Sequence, residues 1–246
     1  MKKRDWILSI TAILVFWQLL SWMINKPILP GPFVVIQTFF SELGDGLISH
    51  VIASLWRVVA STALAILIAA PAGLIMGQST RINSIFSPIV YLIYPIPKVV
   101  LVPVLLLIFG IGDLAKILII FIILFFQILV LVRDQAANLR PELLQSVRSL
   151  GAGRRALFRF VYLPASLPAI LTALRQSVGT AVAVLYIAEL FATQKGLGYY
   201  IYLNGSTLFN YPAMYAGILA MSLLGLGLYF SVDWLEKRLC PWLFVN

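Results

Sequence analysis

The chain has 246 residues, of which 61% are apolar and 11% charged, and a formal net charge of +9; a single water-soluble core cannot hide so large an apolar share, so the sequence is that of an integral membrane protein. One cysteine, Cys240, and one histidine, His50, leave no disulfide framework, no metal cluster, no residue set that calls for a cofactor, and no Cys/His or Ser/His/Asp nucleophile system. The positive charge lacks the aromatic–basic pattern of a nucleic-acid binder, and the basic inner loops of a membrane protein account for it.

A span needs about 20 residues to cross roughly 30 Å of hydrocarbon, and the sequence predicts six: about Trp6–Ile24, Val51–Gly77, Ile85–Phe109, Leu114–Val132, Pro168–Leu190 and Ala213–Leu235. The expected fold is an all-α integral membrane protein with one transmembrane domain over residues 1–246. Met1-Lys2-Lys3-Arg4 precedes an uncharged run that ends in Asn25-Lys26-Pro27 rather than at a small-residue cleavage site, which reads as a retained signal anchor. A cytoplasmic N-terminus places Lys2, Lys3, Arg4, Arg81, every arginine from Arg133 to Arg175, Lys237 and Arg238 inside. These are thirteen of the eighteen basic residues, as the positive-inside rule requires, and the C-terminus is then cytoplasmic too.

After Leu29-Pro30-Gly31-Pro32 breaks the chain, Phe33, Ile36, Phe40 and Leu43 recur at helical spacing, which predicts a short amphipathic helix over about 33–43 on the outer surface. Arg57 and Glu189 fall at the outer ends of the second and fifth spans, where pairing would seal an outer gate. The third span is interrupted by Tyr94-Pro95-Ile96-Pro97-Lys98 and by Pro103. It must bend inside the membrane, and irregular backbone at that depth lines a cavity. Lys98 costs on the order of 3 kcal/mol there unless paired or wetted. Two roles are open for it: lining an anion pathway, or snorkelling and supporting the broken helix. Asp113 and Lys116, three apart at the start of the fourth helix, suit a local helix-end contact. Gly73, Gly77, Gly179, Gly217, Gly225 and Gly227 suit close helix packing, including across a dimer interface. The external Gly196-Leu197-Gly198-Tyr199 is a weak phosphate signal, and the chain has no Walker A sequence, so any ATP must bind another subunit.

Between the fourth and fifth spans lies a polar island, Arg133 to Pro168. Pro141-Glu142 opens a helix there that Gly151 can stop in a left-handed conformation. Leu143, Val147 and Leu150 share one face, which suits docking into a partner's groove; a basic loop resting on anionic lipid is the alternative. Gln145-Ser146-Val147-Arg148-Ser149-Leu150-Gly151, followed by Val161-Tyr162-Leu163-Pro164, resembles the EAA loop of ABC-importer permeases. Gly151, Leu163 and Pro164 match, while Gln145, Ser146 and Val147 replace the name-giving triplet.

Leu29-Pro30-Gly31-Pro32, Ala53-Ser54-Leu55-Trp56-Arg57-Val58, Pro95-Ile96-Pro97-Lys98, Phe109-Gly110-Ile111-Gly112, Ala188-Glu189-Leu190 and Gly196-Leu197-Gly198-Tyr199 stand in the same order. With them, the chain resembles, almost end to end, permeases of the nitrate/sulfonate/taurine (bicarbonate) group of type I ABC importers. The resemblance implies a bacterial inner-membrane permease, itself no enzyme, acting by alternating access on a small anionic solute. It implies a second copy of the chain, two cytoplasmic ATPase subunits and an external solute-binding protein. It implies ATPase contact through Glu142, Leu143, Gln145, Ser146, Val147, Leu150, Gly151, Arg154, Arg155, Leu163 and Pro164. Arg148, Arg154, Arg155 and Arg159 act either as docking charges or as topology signals. Pathway and gate candidates are Arg57, Lys98, Gln127, Gln176, Ser177, Thr180 and Glu189, although isolated polar residues in a bundle more commonly bond helix to helix.

Some relatives of the group carry aromatic or vitamin-precursor cargo. Of the rivals, an ion-coupled secondary carrier calls for inverted repeats and midplane acids, whereas here every acid lies at or beyond a span end. A membrane-embedded enzyme lacks its residue cluster, and a scaffold needs no broken third helix.

Overall fold

The computed structural model describes residues 3–191 and 193–243, without the side chains of Lys3, Trp6, Pro141 and Arg154. Lys2, counted above among the inner charges, lies outside the described residues. Every regular element among the described residues is helical: α1 (Lys3–Ile24), α2 (Pro32–Glu42), α3 (Ile48–Gln78), α4 (Thr80–Ile93), α5 (Val102–Phe109), α6 (Asp113–Ala137), α7 (Pro141–Ser149), α8 (Arg154–Leu157), α9 (Leu163–Leu190), α10 (Leu197–Tyr202) and α11 (Tyr211–Leu239), joined in places by short wide or tight helical turns. Ile7–Ile24, Pro32–Gln78, Asp113–Ala137, Arg155–Leu190 and Tyr211–Leu239 are each long and apolar enough to span a membrane. Thr80–Ile93 and Lys98–Phe109, bent by 77°, make a sixth when taken as one broken span.

Two boundaries differ from the sequence reading. The non-helical and short-helical part of the polar island is narrower than Arg133 to Pro168, because α6 continues through Arg133 to Ala137 and the helical run that carries the fifth span begins at Arg154. Pro164 lies inside that continuous run, just after the wide turn Phe158–Tyr162, an irregularity that fits the N–H a proline cannot supply. The short helix expected over about 33–43 is α2, Pro32–Glu42. Non-helical backbone at Asp45 and Gly46 (φ +116°) sets it off from α3, and that dihedral suits glycine. On α2 it is Val35 that is fully buried, while Phe33, Ile36 and Phe40 stay exposed, so the predicted stripe is the uncovered one.

The chain divides into two compact units, Met1–Leu55 with Glu189–Leu224 and Trp56–Ala188 with Gly225–Asn246. In the first, Trp17 lies 5.9 Å from Tyr215, Ser21 donates to Leu29 O at 2.8 Å, and Val35 and Leu47 are fully buried. No residue of Ile7–Ile24 on α1 is fully buried, and the exposed Ile7, Ile10, Ile13 and Phe16 form an apolar surface that suits lipid or another chain. In the second unit the core runs along α6 (Ile119, Ile120, Leu124, Ile128, Val132) and meets Ala65, Ala69 and Leu74 of α3 and Ala173, Ala181 and Leu185 of α9. A Cβ at Gly77 would lie 2.6 Å from Arg133 O, and one at Gly73 2.8 Å from Leu129 O. The backbones of α3 and α6 therefore touch, as expected for these two glycines. Within one chain Gly179 and Gly227 have open space beside them, so any close packing they permit is with a second chain.

Candidate functional site

The break between α4 and α5 follows from its prolines. Pro97 has no N–H to offer Ile93 O, and the chain turns away before Lys98 can bond Tyr94 O through its backbone. The Lys98 side chain fills the gap: Nζ donates to Tyr94 O at 2.8 Å, Ile93 O at 3.1 Å and Ile96 O at 3.2 Å. Three carbonyls occupy all three ammonium protons. Nζ also lies 4.8 Å from the centre of the Phe126 ring and 5.6 Å from that of Tyr94. Lys98 is buried, and among the described residues no carboxylate stands within ion-pair distance of it.

Lys98 helps to line a cavity of about 310 Å³ with Tyr94, Ile96, Val99, Ile123, Phe126, Gln127 and Thr180. Three of the pathway candidates thus meet in one place. Ser177 is tied to them through Gln127 Oε1, to which it donates at 3.4 Å, besides bonding Ala173 O at 2.7 Å. Gln176 does not join them: it is exposed. The sequence reading missed Phe126, because one aromatic in an unbroken apolar run of α6 carries no signal.

Arg57, in the second unit, is buried and pairs with Asp113 through Nε at 2.9 Å and NH2 at 2.7 Å. Lys116, read as Asp113's helix-end neighbour, donates to the carbonyls of Ile111 and Gly112 at 2.5 and 3.3 Å. In the first unit Glu189 is fully buried. Ser54 donates to its two carboxylate oxygens, both at 2.9 Å, and Gly198 N–H to Oε2 at 2.8 Å. Leu197 N–H bonds Ser54 Oγ at 2.8 Å and Gly196 N–H bonds His50 Nδ1 at 3.1 Å. The glycine pair thus lets a turn lie flat on the start of α3, a docking role that no phosphate motif describes. Tyr200 donates to Glu42 at 2.7 Å. Burial, and then the Glu42 carboxylate, push its phenol above the ordinary tyrosine range.

α7 ends in a Schellman motif. Gly151 adopts φ +80°, its N–H bonds Arg148 O at 2.9 Å, and Ala152 N–H bonds Val147 O at 3.4 Å. The predicted stripe splits here. Leu144 and Val147 pack against the core of the second unit, while Leu143 and Leu150 remain 44% and 85% exposed. Val147 turns inward because it closes the Schellman motif with Ala152, which packs on the same core. Glu142, Gln145, Ser146 and Arg155 are exposed, Pro164 is half-buried, Leu163 is exposed, and the side chain of Arg154 lies outside the described residues. Arg159 lies over Phe160, 5.7 Å from the ring centre.

Two ion clusters leave no pattern in the sequence, where their arginines count only as topology signals. Arg133 is buried in α6 and reaches Asp134 at 2.7 Å, Ser87 at 3.3 Å and Tyr91 at 3.3 Å. Arg175 of α9 meets Asp233 at 3.1 Å and Glu236 at 2.9 Å on α11.

Residues 65–240 match the family model described as "Binding-protein-dependent transport system inner membrane component". The taurine transport system permease protein TauC of Escherichia coli is 31% identical over 93% of this chain and 85% of its own length. A putative ABC transporter permease protein of Methanocaldococcus jannaschii is 35% identical over 96% and 91%. The formylaminopyrimidine transport permease protein ThiX of Halalkalibacterium halodurans is 28% identical over 94% and 92%. Among solved structures, an inward-facing MetNI methionine ABC transporter matches with a TM-score of 0.70 over 80% of this chain and 98% of that one. At 20% identity, that likeness speaks for the fold.

Proposed function

Because the chain belongs to the family of binding-protein-dependent transport system inner membrane components, and is therefore a multi-pass ABC-transporter permease, we propose that two copies form the alternating-access pathway of an ATP-driven importer for a small anionic solute. Nitrate, a sulfonate, taurine or bicarbonate has the chemistry required. The observation that carries the anionic reading is Lys98, a buried cation with no carboxylate within ion-pair distance among the described residues, lining a cavity with Gln127 and Thr180. Its charge attracts an anion even though its protons are already engaged. An external binding protein delivers the solute, and both termini lie in the cytoplasm with the basic loop. Arg57 and Glu189 act at the outer end of the pathway.

Two cytoplasmic ATPase subunits drive the cycle through α7. The support for this is a capped helix with two exposed apolar anchors, Leu143 and Leu150, beside exposed Glu142, Gln145 and Ser146; an anchor of that kind carries about 2 kcal/mol of a docking interface. Gly151, Arg154, Arg155, Leu163 and Pro164 complete the surface, and Val147 supports it from beneath. A second reading, an aromatic or vitamin-precursor solute, is favoured by the Tyr94 and Phe126 rings in the same cavity and by the name of the ThiX relative.

The test is purification of tagged protein from its native membrane beside Leu143→Ala/Leu150→Ala, which spares the half-buried Val147. A P-loop ATPase that copurifies with the wild type and is lost from the folded variant supports the reading. An intact dimer that brings no ATPase refutes it, and ion-gradient-driven uptake then tests the carrier rival.

A further inference from the structure

We propose that the inner ends of α3 and α4 and the coupling helix α7 together hold the headgroup of an anionic phospholipid, which tethers α7 to the membrane surface. The proposal takes its orientation from the reading above that α7 lies on the cytoplasmic side. A second cavity, of about 410 Å³, is lined by Gln78, Ser79, Arg148 and Tyr162 and by the apolar Ile75, Ile82 and Leu157, and among the described residues no carboxylate lines it.

Its donors are unmatched. Gln78 Nε2 is buried with no hydrogen-bond partner. Tyr162 is 7% exposed and makes no hydrogen bond to the described residues. Arg148 is exposed and has neither an ion pair nor a side-chain hydrogen bond there. Ser79 Oγ accepts from Ile82 N–H at 3.4 Å, which leaves its own proton to give. A guanidinium, an amide, a phenol and a hydroxyl around one space call for a negatively charged group with several acceptor oxygens, and a phosphate meets that description.

The rim identifies the source of the phosphate. Ile75 lies on the last turn of a membrane-spanning helix and is 48% exposed, and Ile82 stands across the turn from it. A soluble phosphate has no use for such a rim, whereas a lipid lays its acyl chains along it. Basic pockets between helices on the cytoplasmic side take acidic headgroups in this way. Arg148 thereby gains a role apart from ATPase docking and topology: it holds the coupling helix to a lipid that α3 and α4 also hold.

The test counts phospholipid retained after an extended detergent wash, by native mass spectrometry, on wild type, Arg148→Gln, Tyr162→Phe and Arg140→Gln. Arg140 is an exposed arginine of the same segment that does not line the cavity. Wild type and Arg140→Gln are expected to retain phosphatidylglycerol, and Arg148→Gln to retain it about tenfold less well. Tyr162→Phe shows a smaller loss, and decides the matter alone if Arg148→Gln fails to fold. Equal retention by wild type and both cavity variants overturns the site. Displacement by millimolar inorganic phosphate, with phosphatidylglycerol failing to rebind, overturns the lipid as occupant. Displacement by the ATPase subunit overturns it in favour of a protein socket. Lipid retention needs no ATPase, so failure here is distinct from failure of the importer reading.

Discussion

Replacing Lys98 by Gln separates its two jobs. A glutamine amide keeps two of the three donors that cap Tyr94 O, Ile93 O and Ile96 O, so the bend between α4 and α5 persists while the charge disappears. A solute anion in a cavity of this size sits about 6 Å from Nζ, where an effective dielectric of about 20 makes the attraction about 3 kcal/mol. Its loss weakens solute affinity about a hundredfold. The assay is ATP-driven uptake into proteoliposomes carrying the permease with its ATPase and binding protein. Lys98→Gln is expected to raise the concentration for half-maximal uptake of the anion and to leave ATP hydrolysis without solute unchanged. Lys98→Arg keeps the charge and loses far less. An unchanged half-maximal concentration in Lys98→Gln, or equal losses in Gln and Arg variants, would refute the electrostatic argument and leave Lys98 as a helix cap alone.

Gly77→Ala places a methyl 2.6 Å from both Arg133 O and Ala136 Cβ, closer than any real contact, so α3 and α6 must part; the expected cost is about 2 kcal/mol, read as a lower thermal midpoint in detergent. Gly227→Ala, with open space around it, serves as control, and equal midpoints would sink the packing claim. Tyr200 provides a pH dependence. Its folded-state pKa is raised by burial first and the Glu42 hydrogen bond second, so the stability it contributes is full below the unfolded value of about 10. That stability fades as pH rises from there toward the folded value. Wild type should therefore lose stability above about pH 10 more steeply than Tyr200→Phe, and parallel pH profiles would show that the phenol adds nothing.

The spans were legible because lipid makes a demand that composition records directly: about 20 apolar residues in a row. The break in the third span was legible for the same kind of reason, since two prolines around Ile96 remove donors that the bilayer interior does not replace. Boundaries were less so. The sequence predicts a fifth span from Pro168, yet the helix runs from Arg154 through both Pro164 and Pro168, so neither proline marks its start. The kink between α2 and α3 falls at Asp45 and Gly46, and the positive φ of Gly46 leaves no mark in a hydrophobic pattern.

The candidate site was legible where chemistry is scarce and illegible where it is common. A lysine inside a span has few ways to exist, so Lys98 stood out, and Gln127 and Thr180 stood out as polar exceptions on apolar helices. Phe126 lies in the same cavity but is one of 15 phenylalanines, and only the fold distinguishes it. Helical spacing placed Leu143, Val147 and Leu150 on one face, but periodicity reports a face without saying which edge of it is covered. What covers Val147 is long-range packing on a core built from α3, α6 and α9, and no local pattern contains that. The consequence for coupling is physical. A force applied at Leu143 and Leu150 from outside is received by a helix whose opposite edge, Leu144 and Val147, is seated in that core. Close-packed side chains transmit displacement rather than absorb it, so the inward turn of Val147 suits α7 to carry force better than the fully exposed stripe that spacing predicts.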